Sequence, residues 1–148
     1  MNKGPLSLAT ALLLTSGTAI LAEPTGSAPL TIELDGLRNG HGAVVVAAYD
    51  QARAFEEMDF TSTVAMAYLP AAVGKVAVTL HNLPPGNYAV AAIHDEDGDG
   101  DLAMDGDVPT EGYAFAAMGP GGLPPKFEDA AVAAGADATV KLRLRYWN

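Results

Sequence analysis

The chain has 148 residues with a formal net charge of −10, which is the size of a single domain. Apolar residues make up 49% of the sequence, enough for a packed core, so wholesale disorder is excluded. The acidic balance argues against nucleic-acid binding, and the lack of cysteine excludes disulfides, thiolate metal sites and cysteine nucleophiles.

The first segment has the pattern of a secretory signal peptide. Lys3 precedes an apolar stretch over residues 6–21, and no acidic residue occurs before position 23. This stretch is shorter than the roughly 20 residues that a spanning helix needs. We predict cleavage after Ala22, with cleavage after Ala19 or Ala28 as alternatives.

The predicted division is therefore a signal peptide at residues 1–22, a linker at 23–28 and one domain at 29–148. Loss of residues 1–22 leaves seven basic and eighteen acidic side chains, a net charge of −11. No later segment is long and apolar enough to span a membrane as a helix. We predict a periplasmic or extracellular protein without a membrane span after signal removal.

The remaining chain has the pattern of short strands. Apolar residues alternate with polar ones in residues 29–37, 74–80 and 138–147, which is typical of half-buried strands, whereas residues 42–50 are more continuously apolar. Residues 53–60 are mixed and predict a helical turn or a loop. Further strands are predicted over residues 64–69, 88–94, 113–118 and 130–133. Seven or eight strands separated by turns predict an all-β fold, a single antiparallel β-sandwich.

Eight of the eighteen acidic residues lie within residues 95–111, which we call the acidic loop. In a tight loop, carboxylates at alternate positions can converge on one hard cation, and interleaved glycine permits the sharp turn. The segment DEDGDGDLAMDG resembles the calcium loop of EF-hands and dockerins. The predicted Ca²⁺ ligands are Asp95, Asp97, Asp99, Asp101 through its backbone carbonyl, and Asp105, with Asp107 as the alternative closing ligand.

This segment departs from the EF-hand pattern at its last position. A bidentate acid normally stands there, but the position falls on Gly106, with Asp105 and Asp107 on either side. The alternative is a solvated turn whose aspartates bond to their own backbone. Neighbouring carboxylates repel by about 1 kcal/mol per pair even in water, which favours a bound cation. We expect Ca²⁺ rather than Mg²⁺, because Mg²⁺ demands octahedral geometry and retains water.

No catalytic motif follows the predicted signal peptide. Ser27 and Ser62 lie outside a Gly-x-Ser-x-Gly context, and the sequence has neither a His-Glu-x-x-His motif nor a phosphate-binding loop. A hydrolase using loop carboxylates is an alternative, but clustered acids fit ion ligands better than an acid and a base with separated pKa values. We predict that the protein is not an enzyme.

Histidine and aromatic residues supply the other candidate positions. His94 ends a predicted strand, and we expect it to pack or hydrogen bond rather than bind Ca²⁺. A transition-metal site made with His41 and His81 is disfavoured. Tyr88 follows a Pro-Pro-Gly turn, as in a tyrosine corner, and Phe127 is expected to cover the core.

A ligand-binding face is the second functional hypothesis. It would use Tyr113, Phe115 or Trp147 to bind a carbohydrate or a peptide, although Phe115 is also expected to cover the core. Trp147 has the opposite parity to the apolar residues of the last strand, which predicts its exposure as part of a partner surface, with packing at the end of the chain as the alternative.

Three blocks of sequence together resemble a known family. They are LPPGNYAVAAIHDEDGDGDLAMD at 83–105, VPTEGYAF at 108–115 and GLPPKFEDAAV at 122–132. In this order they resemble the bacterial domain-of-unknown-function family 2141, over roughly residues 30–146. Family members often carry Asn where this chain has Asp97 and Asp99. The resemblance implies an exported β-sandwich similar to transthyretin-like or carboxypeptidase-regulatory-like modules, and it implies no activity.

Overall fold

The computed structural model of the protein describes residues 26–147. The predicted signal peptide and residues 23–25 of the predicted linker lie outside the described residues. Two short helices are α1 (Ala52–Glu56) and α2 (Phe127–Ala130), and a 3₁₀ turn spans Phe60–Ser62. The strands are β1 (Ala28–Leu37), β2 (Ala43–Tyr49), β3 (Ala65–Pro70), β4 (Gly74–Leu83), β5 (Asn87–Asp95), β6 (Met104–Asp105), β7 (Val108–Pro109), β8 (Gly112–Phe115), β9 (Val132–Ala133) and β10 (Thr139–Arg143).

Two larger sheets enclose one hydrophobic core. The smaller has the strand order β10-β1-β4, and the larger has the order β3-β2-β5-β8, with β9 paired to β5. Strands β6 and β7 form a separate ribbon. Paired strands run antiparallel, except that β1 and β10 run parallel. The predicted all-β fold is confirmed, with this one parallel pair added.

The burial of each strand explains its sequence pattern. In β1, Leu30, Ile32 and Leu34 face the core while the residues between them are partly or fully exposed. Strands β2 and β5 are buried on both faces, and α1 and α2 pack against them as a further layer. Continuous apolar runs are expected where a strand is covered on both sides.

Phe55 of α1 anchors this outer layer. Its ring is completely buried and meets Tyr49, Phe115 and Phe127 edge to face, at centroid distances of 5.4–6.2 Å. Such aromatic pairs stabilise a core beyond the area that they bury. The short helix predicted as an alternative for residues 53–60 is therefore part of the core, and Phe127 covers the core as expected.

The segment after β10 joins the two sheets. The predicted strand over 138–147 ends at Arg143, and the chain then pairs with β8 through a two-bond bridge between Arg145 and Tyr113, with N···O distances of 2.8 and 3.0 Å. At the other end of the fold, the Tyr88 hydroxyl donates to the Pro84 carbonyl at 2.6 Å, as in the predicted tyrosine corner. Among the described residues, no helix has the length and apolar character needed to cross a membrane.

Candidate metal centre

The acidic loop connects two neighbouring strands of the larger sheet. Strand β5 ends at Asp95 and β8 begins at Gly112, and the two strands are paired with His94 opposite Gly112. This register brings the two ends of the loop side by side. The sheet therefore fixes the base of the loop.

Asp95, Asp97 and Asp99 are gathered at the start of the loop. Each offers a carboxylate oxygen, and these three oxygens all lie within 4.8 Å of one another. Asp95 is buried, and the other two are exposed. Gly98 and Gly100 have φ angles of 80° and 88°, in the left-handed region that glycine adopts at little cost. These two glycines turn the chain so that alternate aspartates point inward.

Backbone amides hold the carboxylate of Asp95 in place. It accepts hydrogen bonds from the N–H groups of Gly98 at 2.8 Å, Asp99 at 3.2 Å and Gly100 at 3.0 Å, using both of its oxygens. Asp97 accepts from the Asp99 amide at 3.1 Å, the side-chain-to-backbone turn that aspartate favours. A carboxylate has about four acceptor positions, so these bonds orient the oxygens and leave about one acceptor position on Asp95 and more on Asp97 for a cation.

The other three predicted ligands lie elsewhere in the loop. The side chains of Asp101, Asp105 and Asp107 do not belong to the group that meets within 4.8 Å. Asp101 is exposed and its amide donates to Asp99 at 2.8 Å. Asp105 and Asp107 are exposed and lie on the β6–β7 ribbon. The structure thus brings together the carboxylates of Asp95, Asp97 and Asp99, the first three predicted ligands.

Glu111 is a structural residue of the loop that sequence reasoning did not single out. Its side chain is buried, and its carboxylate accepts from the amides of Glu96 at 2.6 Å, Asp97 at 3.4 Å and Ala103 at 3.1 Å. These three bonds tie both sides of the loop to the start of β8. Its position just before an apolar strand could have indicated from the sequence that its side chain is buried. The register of β5 and β8 shows that this side chain faces the loop backbone.

Glu96 forms an ion pair with Arg38. Arg38 donates to both of its carboxylate oxygens, at 2.7 and 3.1 Å, and this hydrogen-bonded pair lowers the pKa of Glu96. The Arg38 guanidinium also lies over the ring of Tyr146, 4.4 Å from the centroid. Within the acidic loop, Glu96 is therefore held in an ion pair with Arg38.

The histidines take no part in the carboxylate group. His94 is completely buried, with Nδ1 2.7 Å from the Tyr146 hydroxyl and Nε2 2.8 Å from the His41 carbonyl. Since a carbonyl only accepts, Nε2 carries a proton and donates. His94 thus has the hydrogen-bonding role that was expected. Within residues 26–147, the group of potential metal ligands contains no histidine.

The three aromatic residues of the second hypothesis lie close together but differ in exposure. Tyr113 and Phe115 are buried in β8, whereas Trp147 is 42% exposed. The indole N–H of Trp147 donates to the Tyr113 hydroxyl at 2.8 Å. The predicted exposure of Trp147 is confirmed, and the other two rings lie beneath it rather than on an open face.

Comparison with known proteins identifies a family and no characterised relative. No curated protein and no solved structure matches the chain. A family model described as an uncharacterized protein conserved in bacteria, DUF2141, matches residues 32–141. This match runs from within β1 to within β10 and includes the whole acidic loop, and it confirms the resemblance seen in the three sequence blocks. The chain belongs to the bacterial domain-of-unknown-function family 2141.

Proposed function

We propose that this protein is an exported β-sandwich module whose acidic loop binds Ca²⁺, and that it serves a binding or structural role rather than catalysing a reaction. Asp95, Asp97 and Asp99 supply the first side-chain ligands. The Asp101 carbonyl and a carboxylate from Asp105 or Asp107 complete the site. The bound ion stabilises the loop and the β6–β7 ribbon that follows it.

The observation that supports this proposal is the convergence of three carboxylates within 4.8 Å. Charges at this spacing repel by about 1 kcal/mol per pair even at the dielectric constant of water. No basic residue occurs between Lys75 and Lys126 in the sequence. A divalent cation relieves this repulsion, and Ca²⁺ accepts about six to eight oxygen ligands in flexible geometry.

Thermal unfolding of the purified protein tests the ion. We expect the Tm in millimolar Ca²⁺ to exceed the Tm in excess EDTA, with a smaller rise in Mg²⁺. A ligand at 100 times its Kd stabilises the folded state by about 2.7 kcal/mol, which amounts to about 10 °C for a domain of this size.

Two variants show whether the acidic loop is responsible. Asp97→Ala, which removes the ligand oxygens, should lose the calcium-dependent rise, whereas Asp137→Ala, which removes one carboxylate from an exposed turn elsewhere, should keep it. An equal rise in both variants would place the ion outside the loop. No rise with any divalent cation would leave the loop as a solvated turn and refute the proposal.

Export is supported by the pattern of residues 1–22. When the full chain is produced in a Gram-negative bacterium, we expect it in the periplasmic fraction, with Glu23 as the first residue determined by mass spectrometry. An intact protein beginning at Met1 in the cytoplasm would refute the export part of the proposal without affecting the calcium part.

A further inference from the structure

A cleft of about 330 Å³ lies beside the acidic loop. Leu102 and Val108 of the acidic loop line it, together with Leu123. Tyr113 and Phe115 of β8 also belong to its apolar lining, as does Trp147. Small-molecule sites are concave, mostly apolar and at least roughly 300 Å³ in volume, so this cleft has the size and lining of a site for a small ligand.

Hydrogen bonds hold the aromatic side of the cleft in a fixed geometry. The Trp147 indole donates to the Tyr113 hydroxyl at 2.8 Å, and that hydroxyl donates to the Gly122 carbonyl at 2.9 Å. On the neighbouring segment, Arg145 donates to the Pro120 carbonyl at 2.6 Å. The Tyr113 and Trp147 rings are therefore held in place before any ligand arrives, which lowers the entropic cost of binding.

The charged residues that line the cleft all have the same sign. They are Glu56, Glu57 and Asp107. Glu56 and Glu57 form ion pairs with Lys126 at 3.4 Å and Arg53 at 3.0 Å, and both basic side chains are at least 70% exposed. Exposed ion pairs of this kind contribute little to stability, so a bound cation can replace Lys126 or Arg53 beside these two glutamates. The cleft thus combines apolar walls with negative charge.

We propose that this cleft binds small organic cations in which an ammonium or guanidinium group is joined to an apolar ring or chain. The apolar part would contact Leu102, Leu123 and Trp147, and the cation would face Asp107. The Arg145 guanidinium lies 4.5 Å from the Trp147 ring centroid and covers that face of the indole, so the ligand's cation is placed at Asp107 and its apolar part against the remainder of the ring. This inference gives a ligand class to the proposed binding role and does not require the calcium ion.

Trp147 is the only tryptophan of the chain, so it reports on the cleft directly. The probes are phenethylammonium, the neutral 2-phenylethanol and the anionic 3-phenylpropionate, titrated at pH 7 in EDTA. Binding is followed by tryptophan fluorescence and by the single indole N–H signal in a ¹H–¹⁵N spectrum. We expect saturable shifts with phenethylammonium, at least about fivefold weaker binding of the neutral probe, and the weakest binding of the anion.

Variants locate the site and test the role of charge. Asp107→Asn should weaken phenethylammonium binding about fivefold and leave 2-phenylethanol binding unchanged, whereas the distant Asp137→Asn should leave both unchanged. Leu123 is 75% exposed, so Leu123→Ser can be made without disturbing the core, and it should weaken both the cationic and the neutral probe.

Several results would overturn the proposal. They are equal binding of the neutral and cationic probes, tighter binding of the anion, no shift of the indole signal with phenethylammonium, or equal effects of Asp107→Asn and Asp137→Asn. The calcium-dependent Tm is measured separately, with no probe present. A failure of the cleft proposal is therefore distinguishable from a failure of the calcium proposal.

Discussion

The Glu111→Gln substitution keeps the size of the side chain and removes the charge that closes the acidic loop. The buried carboxylate accepts from the amides of Glu96 at 2.6 Å and Asp97 at 3.4 Å on one oxygen, and from the amide of Ala103 at 3.1 Å on the other. Glutamine retains one acceptor oxygen, so one bond to a charged group is lost, worth about 1.5–3 kcal/mol. Its NH₂ group then faces a backbone N–H that has lost its acceptor. We expect destabilisation of about 3 kcal/mol, or about 10 °C in Tm for a domain of this size.

Urea unfolding followed by Trp147 fluorescence measures this loss. The experiment is done in EDTA, so that ion binding does not contribute. Asp105→Asn is the matched control, because it also removes one negative charge from the loop but at an exposed position. We expect its free energy of unfolding to stay within about 0.5 kcal/mol of the wild type. The reasoning would be refuted if Glu111→Gln left the free energy of unfolding as little changed as Asp105→Asn does. It would also be refuted if Asp105→Asn lowered that free energy as much as Glu111→Gln does.

Three further predictions concern other positions. The buried Tyr49 hydroxyl has no hydrogen-bond partner within residues 26–147, so Tyr49→Phe should leave the urea midpoint unchanged or raise it, and a loss above about 1 kcal/mol would contradict this. A Cβ on Gly112 would lie 2.6 Å from Cζ of the Tyr146 ring, so Gly112→Ala should cost about 1–3 kcal/mol in the same assay, and an unchanged midpoint would show that the ring moves freely. The pKa of Glu96 lies below its ordinary value of 4.5 because of Arg38, so this pair stabilises the fold above that pH and its contribution is lost as the pH falls through the lowered pKa. The stability difference between wild type and Arg38→Met should therefore shrink in acid, and a difference that does not change between pH 7 and pH 3 would refute the pairing.

The sequence pattern identifies the strands because burial is periodic in them. Strands β1, β4 and β10 each bury one face, and each shows alternation in the sequence. Strands β2 and β5 are covered on both faces and show continuous apolar runs. The first three aspartates of the acidic loop were also predictable, because their spacing and the intervening glycines are local properties of the chain.

Features that depend on distant contacts were not predictable. The parallel pairing of β1 with β10 follows from the packing of the whole sheet. Glu111 resembles its acidic neighbours in the sequence, and its burial follows from the register of β5 and β8. Likewise, the cleft beside Trp147 is formed by segments that are far apart in the sequence.

The parallel pair of β1 and β10 has a consequence for how the chain folds. It joins Thr31 to Thr139, more than a hundred positions apart, so β1 gains its second neighbour only after nearly all of the domain has been synthesised. Domains dominated by such distant pairings fold slowly, in about milliseconds to seconds. An incomplete chain would leave one edge of β1 open, with its backbone N–H and C=O groups unpaired, until the last strand is in place.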